Sequence, residues 1–209
     1  MNNNLKLLHR PKIAVLIPAA GASKRIGSPK QLLKWGSSTL LGHSIETAQQ
    51  LNNLEIFVVL GAYYENIKQT IEHFNVQVIK NKNWKHGLGS SIACGMNHII
   101  DDPCNYDGVL IMLADQPLII PHYLNEMINQ FQIGKDQIIA TSYTNGKHGV
   151  PALFDKKYFK ELTSLNDDLG AKDVIEKHSE FSSTITINPR IDDIDSMEEY
   201  TALYTANHQ

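Results

Sequence analysis

Cysteine is scarce, apolar runs are short and neither sign of charge dominates. Each shortage excludes a class of protein. The two thiols, Cys94 and Cys104, match no zinc or redox spacing and cannot make a disulfide framework. They read as reduced, partly buried small hydrophobes. No apolar stretch approaches the roughly 18 residues needed to cross a bilayer. The stretch from Met1 to Arg10 is polar and lacks the apolar core of a secretory leader, so a cytoplasmic protein without a membrane partner is expected. A formal net charge of -3 over 209 residues gives no support to nucleic-acid binding. Internal repeats, low-complexity tracts and long linkers are also missing.

What is present suits one globular domain. Hydrophobic residues make up 42% of the chain, an ordinary share for a soluble core. Residues 1–10 are expected to form a loose arm and 11–207 a single domain. Short β-branched runs at 13–17, 56–60, 76–79, 109–113 and 138–140 are almost continuously apolar, as in strands buried on both faces. Residues 184–187 alternate polar and apolar, the pattern of an edge strand. Amphipathic stretches at 40–51, 65–74, 90–100, 121–131, 155–162, 170–177 and 197–204 predict helices, the last opened by a Ser196/Glu199 capping box. Strand and helix in alternation imply an α/β, Rossmann-like, mostly parallel sheet with helices on both faces.

Ligands of open α/β sheets sit beyond the carboxyl ends of the strands. That directs attention to the loops at 18–30, 80–91, 114–117, 141–151 and 188–195. In the first, Ala19, Ala20, Gly21 and Ser23 are small enough for the backbone to approach a phosphate, and Arg25 and Lys30 supply positive charge. The spacing is neither that of a Walker loop nor that of a dinucleotide fingerprint. A small basic surface turn has similar composition, so both readings stand on composition alone.

The other loops carry the same kind of double reading. Gly89, Ser90 and Ser91 can make a turn and a helix cap, or present hydroxyls and bare backbone to a planar ligand; Trp84 before them reads as packing. Asp115 directly follows a buried strand, where a charge needs a partner, either turn N–H groups or a cation. Asp193 and Asp195 precede the last helix and suit either a solvated N-terminal cluster or a second metal carboxylate. Lys172 reads as a solvated helix lysine or as an anion contact.

The order of these segments resembles the nucleotidyltransferase superfamily, and within it the molybdenum cofactor cytidylyltransferase branch. The resemblance spans roughly residues 12–204. Its most specific element is Ala-Ala-Gly-x-Ser-x-Arg-x-Gly-x-Pro-Lys at 19–30, continued by Gln31-Leu32-Leu33; Ile26 stands where the family usually has Met. The Gly-x-Gly-Ser-Ser at 87–91 and Asp115-Gln116-Pro117 follow in the family's order. The Asp-Ile-Asp at 193–195 also fits, with Ser196-Met197 where the family has Thr-Pro. Gly149-Val150-Pro151 resembles the family's Gly-His-Pro, with His148 one place early, which leaves an imidazole role open. Asn166 likewise replaces a Gly in the segment ending Gly170-Ala171-Lys172.

The resemblance implies that the first loop wraps a triphosphate, with Arg25 and Lys30 on its phosphates. It puts Gly89, Ser90 and Ser91 beside the nucleotide base, and Gly149, Pro151 and Lys172 at the acceptor. Magnesium falls to Asp115 with Asp195, Asp193 being the second choice. Arg25, Lys30 and Asp115 form the catalytic group. Expected substrates are CTP and a phosphorylated pterin cofactor, and a molybdenum hydroxylase or its chaperone is the expected partner. CTP is expected over GTP because related guanylyltransferases tend to carry Ala-Gly-Gly, where Ala20 here adds a methyl group beside the base. The alternatives are another phosphorylated acceptor, such as a sugar phosphate or methylerythritol phosphate, and a non-catalytic protein that binds a nucleotide and delivers a cofactor. All of this requires Lys30 and Asp115 to share one cleft.

Overall fold

A computed structural model describes residues 10–51, 54–144, 146–167, 169–186 and 193–208. The expected arm, apart from Arg10, lies outside the described residues, as do Asn145, Asp168 and residues 187–192.

The chain runs β1 (Ile13–Pro18), β2 (Lys34–Trp35), β3 (Ser38–Thr39), α1 (Leu40–Gln49), β4 (Glu55–Leu60), α2 (Tyr64–Ile71), β5 (Gln77–Lys80) and α3 (Gly87–Asp101). It continues through β6 (Gly108–Ile111), α4 (Pro121–Gln130), β7 (Ile138–Ser142), β8 (His148–Asp155), α5 (Phe159–Leu162), α6 (Ala171–Lys177), β9 (Ser182–Thr186) and α7 (Met197–His208). Seven strands form one sheet in the order β5-β4-β1-β6-β8-β7-β9, and β2-β3 is a separate small hairpin. β5, β4, β1 and β6 are mutually parallel, and β9 is parallel to β7.

The period-two alternation of the central strands splits the core in two. Ile13, Val15 and Ile17 of β1, with Ile56, Val58 and Leu60 of β4, face α1, α2 and α4. Ala14, Leu16, Phe57 and Val59 face α3, α5 and α6. Every residue of β1 is buried, which is why the run has no polar member. Each Leu or Ile so buried contributes about 1.5–3 kcal/mol through lost water contact. A third cluster seats Trp35, Leu40 and Ile194 against Tyr200, Leu203 and Tyr204 of α7.

Three elements depart from expectation. β8 was expected only as a turn and a short apolar run; it is an eight-residue strand, antiparallel to both β6 and β7. Gly149 and Pro151 hide it, because Pro cannot donate to a ladder. The register shifts between Ala140 and Thr141, so Val150 and Pro151 fall where the ladder is interrupted. The helix expected at 155–162 is α5 alone, because Asp155 closes β8 and accepts the Lys157 N–H at 2.9 Å to start a 3-10 turn. α3 begins at Gly87, so neither Ser90 nor Ser91 is its cap. Two expectations are met: β9 is an edge strand, and Ser196 and Glu199 exchange hydrogen bonds ahead of α7.

Candidate active site

The loop after β1 is shaped by a buried amide. The Gln31 side chain is 3% exposed, and its Nε2 donates to the carbonyls of Ala19 at 2.8 Å and Gly21 at 2.9 Å. Both carbonyls are thereby turned inward. Ser23 holds the turn from the other end: its Oγ accepts the Lys30 N–H at 3.1 Å. Its φ of 50° lies in the left-handed region that side chains other than Gly seldom occupy. A Cβ on Gly21 would meet nothing within 4 Å, so the loop opens to a ligand there.

Residues 193–195 close the opposite side. Ile194 is 1% exposed, and its N–H donates to the Asp115 carbonyl at 3.0 Å. With Ile194 anchored inward, Asp193 and Asp195 both project into the cleft, at two neighbouring points. Lys30 Nζ hydrogen-bonds Asp115 Oδ2, donates to the Ile194 carbonyl at 3.3 Å and lies 3.8 Å from Asp195 Oδ1. Arg25 Nη1 meets Asp195 Oδ2 at 3.0 Å. The required sharing of one cleft by Lys30 and Asp115 is therefore observed. The Arg25 and Asp195 side chains remain 77% and 55% exposed, so that pair contributes little to stability and is readily exchanged.

Two cavities meet here. The first, about 380 Å³, is lined by Ala19, Ala20, Gly21, Ser23, Arg25 and Lys30 on one side, by Trp84, Leu88 and Ser91 on another, and by Asp115 and Asp195. The second, about 450 Å³, has an apolar floor of Ile92, Ile111, Val150 and Ala171 and a polar wall that includes Tyr143, His148, Gly149, Lys172 and Asp193. Of the residues expected at the site, three line neither cavity. Gly89 packs against Asn166 and Leu169. Ser90 Oγ bonds the Asn83 and Gly87 carbonyls. Pro151 lies behind the wall, its carbonyl accepting from Thr141 at 2.7 Å.

Gln116 is the main residue that sequence reasoning passed over. It is 2% exposed, and its Nε2 reaches Tyr143 Oη at 2.9 Å and Asp193 Oδ1 at 2.8 Å, tying the second cavity's wall to residues 193–195. Tyr143 Oη in turn donates to the Val150 carbonyl. Only its place between Asp115 and Pro117 could have signalled it. Asp193 keeps contact with solvent, but protein atoms crowd it within the cleft. Lost solvation, then the neighbouring charge of Asp115, push its carboxyl above the usual range, against the hydrogen bond from Gln116 and the charge of Lys30.

The donor set bears on a metal. Among the described residues no three His, Cys, Asp or Glu side chains are grouped to hold one alone. Asp115 and Asp195 nevertheless face one cavity, and the buried Asp115 Oδ1 has no hydrogen-bond partner. Two carboxylates with positions left for phosphates and water suit Mg²⁺, which dehydrates reluctantly. No helix among the described residues is long and apolar enough to cross a membrane.

Residues 15–181 match the MobA-like NTP transferase domain family. The bifunctional protein GlmU of Legionella pneumophila is 37% identical over 123 residues, which are 56% of this chain and 24% of that protein. This chain therefore spans only about a quarter of the length of such relatives. A crystal structure from Mycobacterium sp. strain JC1, a homologue of Mycobacterium tuberculosis Rv0371c, is similar at a TM-score of 0.80 and 26% identity, covering 94% of this chain and 97% of that one. Rv0371c of M. tuberculosis, solved as a manganese complex, gives 0.77 at 23% identity, with coverage of 93% and 99%.

Proposed function

We propose, from the premise that this chain belongs to the MobA-like NTP transferase family, that it transfers CMP from CTP to the terminal phosphate of a molybdopterin cofactor. The observation that carries this reading is the junction of two cavities beside Lys30, Asp115 and Asp195. One cavity has a small-residue cationic wall suited to a triphosphate. The other has an apolar floor suited to a planar ring rather than to a sugar dense in hydroxyls.

The backbone at 19–23, Arg25 and Lys30 hold the triphosphate. Ser91 and Trp84 flank the nucleoside, with Gly89 and Ser90 shaping the turn behind them. Gly149, Pro151 and Lys172 shape the acceptor side. An acceptor phosphate is already ionised near neutral pH, so no general base is assigned. Its oxygen bonds to the α-phosphorus in line, and the α–β bridging bond breaks. The electron pair leaves on pyrophosphate, whose charge Arg25 and Lys30 offset. Asp115 and Asp195 would hold Mg²⁺, which supplies charge neutralisation across the phosphates when bound; the manganese in Rv0371c supports a divalent ion in this fold.

The methyl of Ala20 supports CTP indirectly. It lies against Gly61, where Trp84 also packs, and so sets how far Trp84 intrudes on the cavity. The pair of carboxylates favours turnover over delivery alone. A molybdenum hydroxylase, or its chaperone, would receive the product. The test is pyrophosphate release with Mg²⁺ and either CTP or GTP, against molybdopterin, a sugar phosphate and methylerythritol phosphate. CTP with molybdopterin is expected to give the highest kcat/KM; equal turnover of CTP and GTP, or preference for another acceptor, refutes the corresponding part.

A further inference from the structure

We infer that Leu88 and Leu113 form an apolar throat that keeps water from the α-phosphorus while the acceptor phosphate is admitted. This rests on the nucleotidyl-transfer reading above. Any enzyme that activates a triphosphate for attack risks spending it on water, which is far more concentrated than the acceptor. In that leak the water oxygen bonds to the α-phosphorus, and the α–β bridging bond breaks with its electron pair on pyrophosphate. The protons released by water pass to solvent, and the products are CMP and pyrophosphate.

Leu88 and Leu113 are the two residues common to the linings of both cavities. Leu113 stands two residues before Asp115, on the segment leaving β6. Leu88 stands in the first turn of α3 between two glycines. A Cβ on Gly87 would come within 2.2 Å of the Asp167 carbonyl oxygen, and one on Gly89 within 2.1 Å of the Leu169 carbonyl oxygen. Gly87 also takes a φ of +79°. The glycines thus let Asn166, Asp167 and Leu169 lie hard against the first turn, with the Gly89 N–H donating to the Asp167 carbonyl at 3.3 Å. So pinned, the turn holds Leu88 outward, 43% exposed, at the junction of the cavities. An exposed leucine there adds nothing to the core. It loses its water contact when substrates fill both cavities, and in doing so dries the line of attack.

The test measures how consumed CTP divides between CMP and the cytidylylated acceptor, using the full chain, Mg²⁺, CTP and molybdopterin. Leu88→Ser is expected to raise the CMP share about tenfold, equivalent to about 1.4 kcal/mol between competing barriers. The division is read at saturating CTP, so that any loss of CTP affinity does not enter it, and the near-UV circular dichroism should remain close to that of the unaltered protein. Leu88→Met, which restores apolar bulk, should return the share to its original value, a rescue that a general packing defect would not produce. Leu113→Ser should act in the same direction. An unchanged CMP share in Leu88→Ser, with transfer still observed, overturns the throat and leaves the transferase reading standing. Absence of nucleotidyl transfer by the unaltered protein with any acceptor overturns that reading, and the throat with it.

Discussion

Lys30 has two opposing relationships with the cleft. Its ammonium hydrogen-bonds Asp115 and sits 3.8 Å from Asp195, so it neutralises the carboxylates that would hold a metal. Lys30→Ala is therefore expected to weaken CTP binding about tenfold or more, since a charge-assisted phosphate contact is lost. The same variant should bind Mn²⁺ alone at least as tightly as the parent. Calorimetric titration with each ligand checks both signs; unchanged CTP affinity would remove Lys30 from the cradle. Asp115→Ala should lower kcat on the order of 10²–10³-fold or more with far-UV circular dichroism unchanged, and near-normal turnover would remove the metal assignment. Asp115 was legible in the sequence because a charge beside a buried strand is conspicuous, and Lys30 because it ends a loop of small and basic residues. Gln31, Gln116 and Leu88 were not, because their roles depend on which carbonyl, hydroxyl or cavity lies opposite, and no one-dimensional pattern records that.

Between elements, close approach sets the tolerances. A Cβ on Gly61, just after β4, would fall 2.4 Å from Trp84 Cβ and 2.9 Å from that of Ala20. Gly61→Ala should cost about 1–3 kcal/mol by overpacking and raise the KM for CTP by displacing Trp84, as denaturant titration and steady-state kinetics would report. Between α5 and α6, Glu161 accepts from Lys177 Nζ at 2.7 Å and meets His178 Nε2 at 2.8 Å, joining α5 to the end of α6. Burial pushes its carboxyl up, but the hydrogen bonds from Lys177 and His178 outweigh that and hold it below the usual range. A depressed carboxylate stabilises the fold above its ordinary pKa and loses that contribution as the pH falls through the lowered value. Glu161→Gln should therefore lower stability by up to about 1 kcal/mol at neutral pH and flatten the acid limb of a Tm-against-pH curve. An unaltered acid limb would deny the link. The parallel strands could be read from their apolar runs, whereas β8 could not, since its Gly and Pro imitate a loop and only the register shift reconciles them with a strand.

For the whole molecule, the cleft joins segments far apart in the chain. CTP with Mg²⁺ would bridge the loop after β1 and residues 193–195. At a hundred times its Kd it should stabilise the fold by about 2.7 kcal/mol, a Tm rise of roughly 5–11 °C for a domain of this size. No shift with CTP, alongside a shift with another triphosphate, would reassign the donor. The sheet and its carboxyl-end cleft were legible because strand and helix alternate and the ligand position follows from that topology. The division into two cavities was not, since their linings come from loops far apart in the chain that meet only at Leu88 and Leu113.

The ion pair between Arg25 and Asp195 spans 170 positions. Contacts of such separation carry a high loop-closure entropy and tend to form late. Asp195 reaches its place only when Ile194 docks beside Trp35 and Leu40. A partly folded chain, even with β1, β4 and β6 already paired, would lack half of its acidic pair. Competence to engage a nucleotide would then arrive only with the final act of folding, sparing the cell a half-made protein that ties up triphosphate.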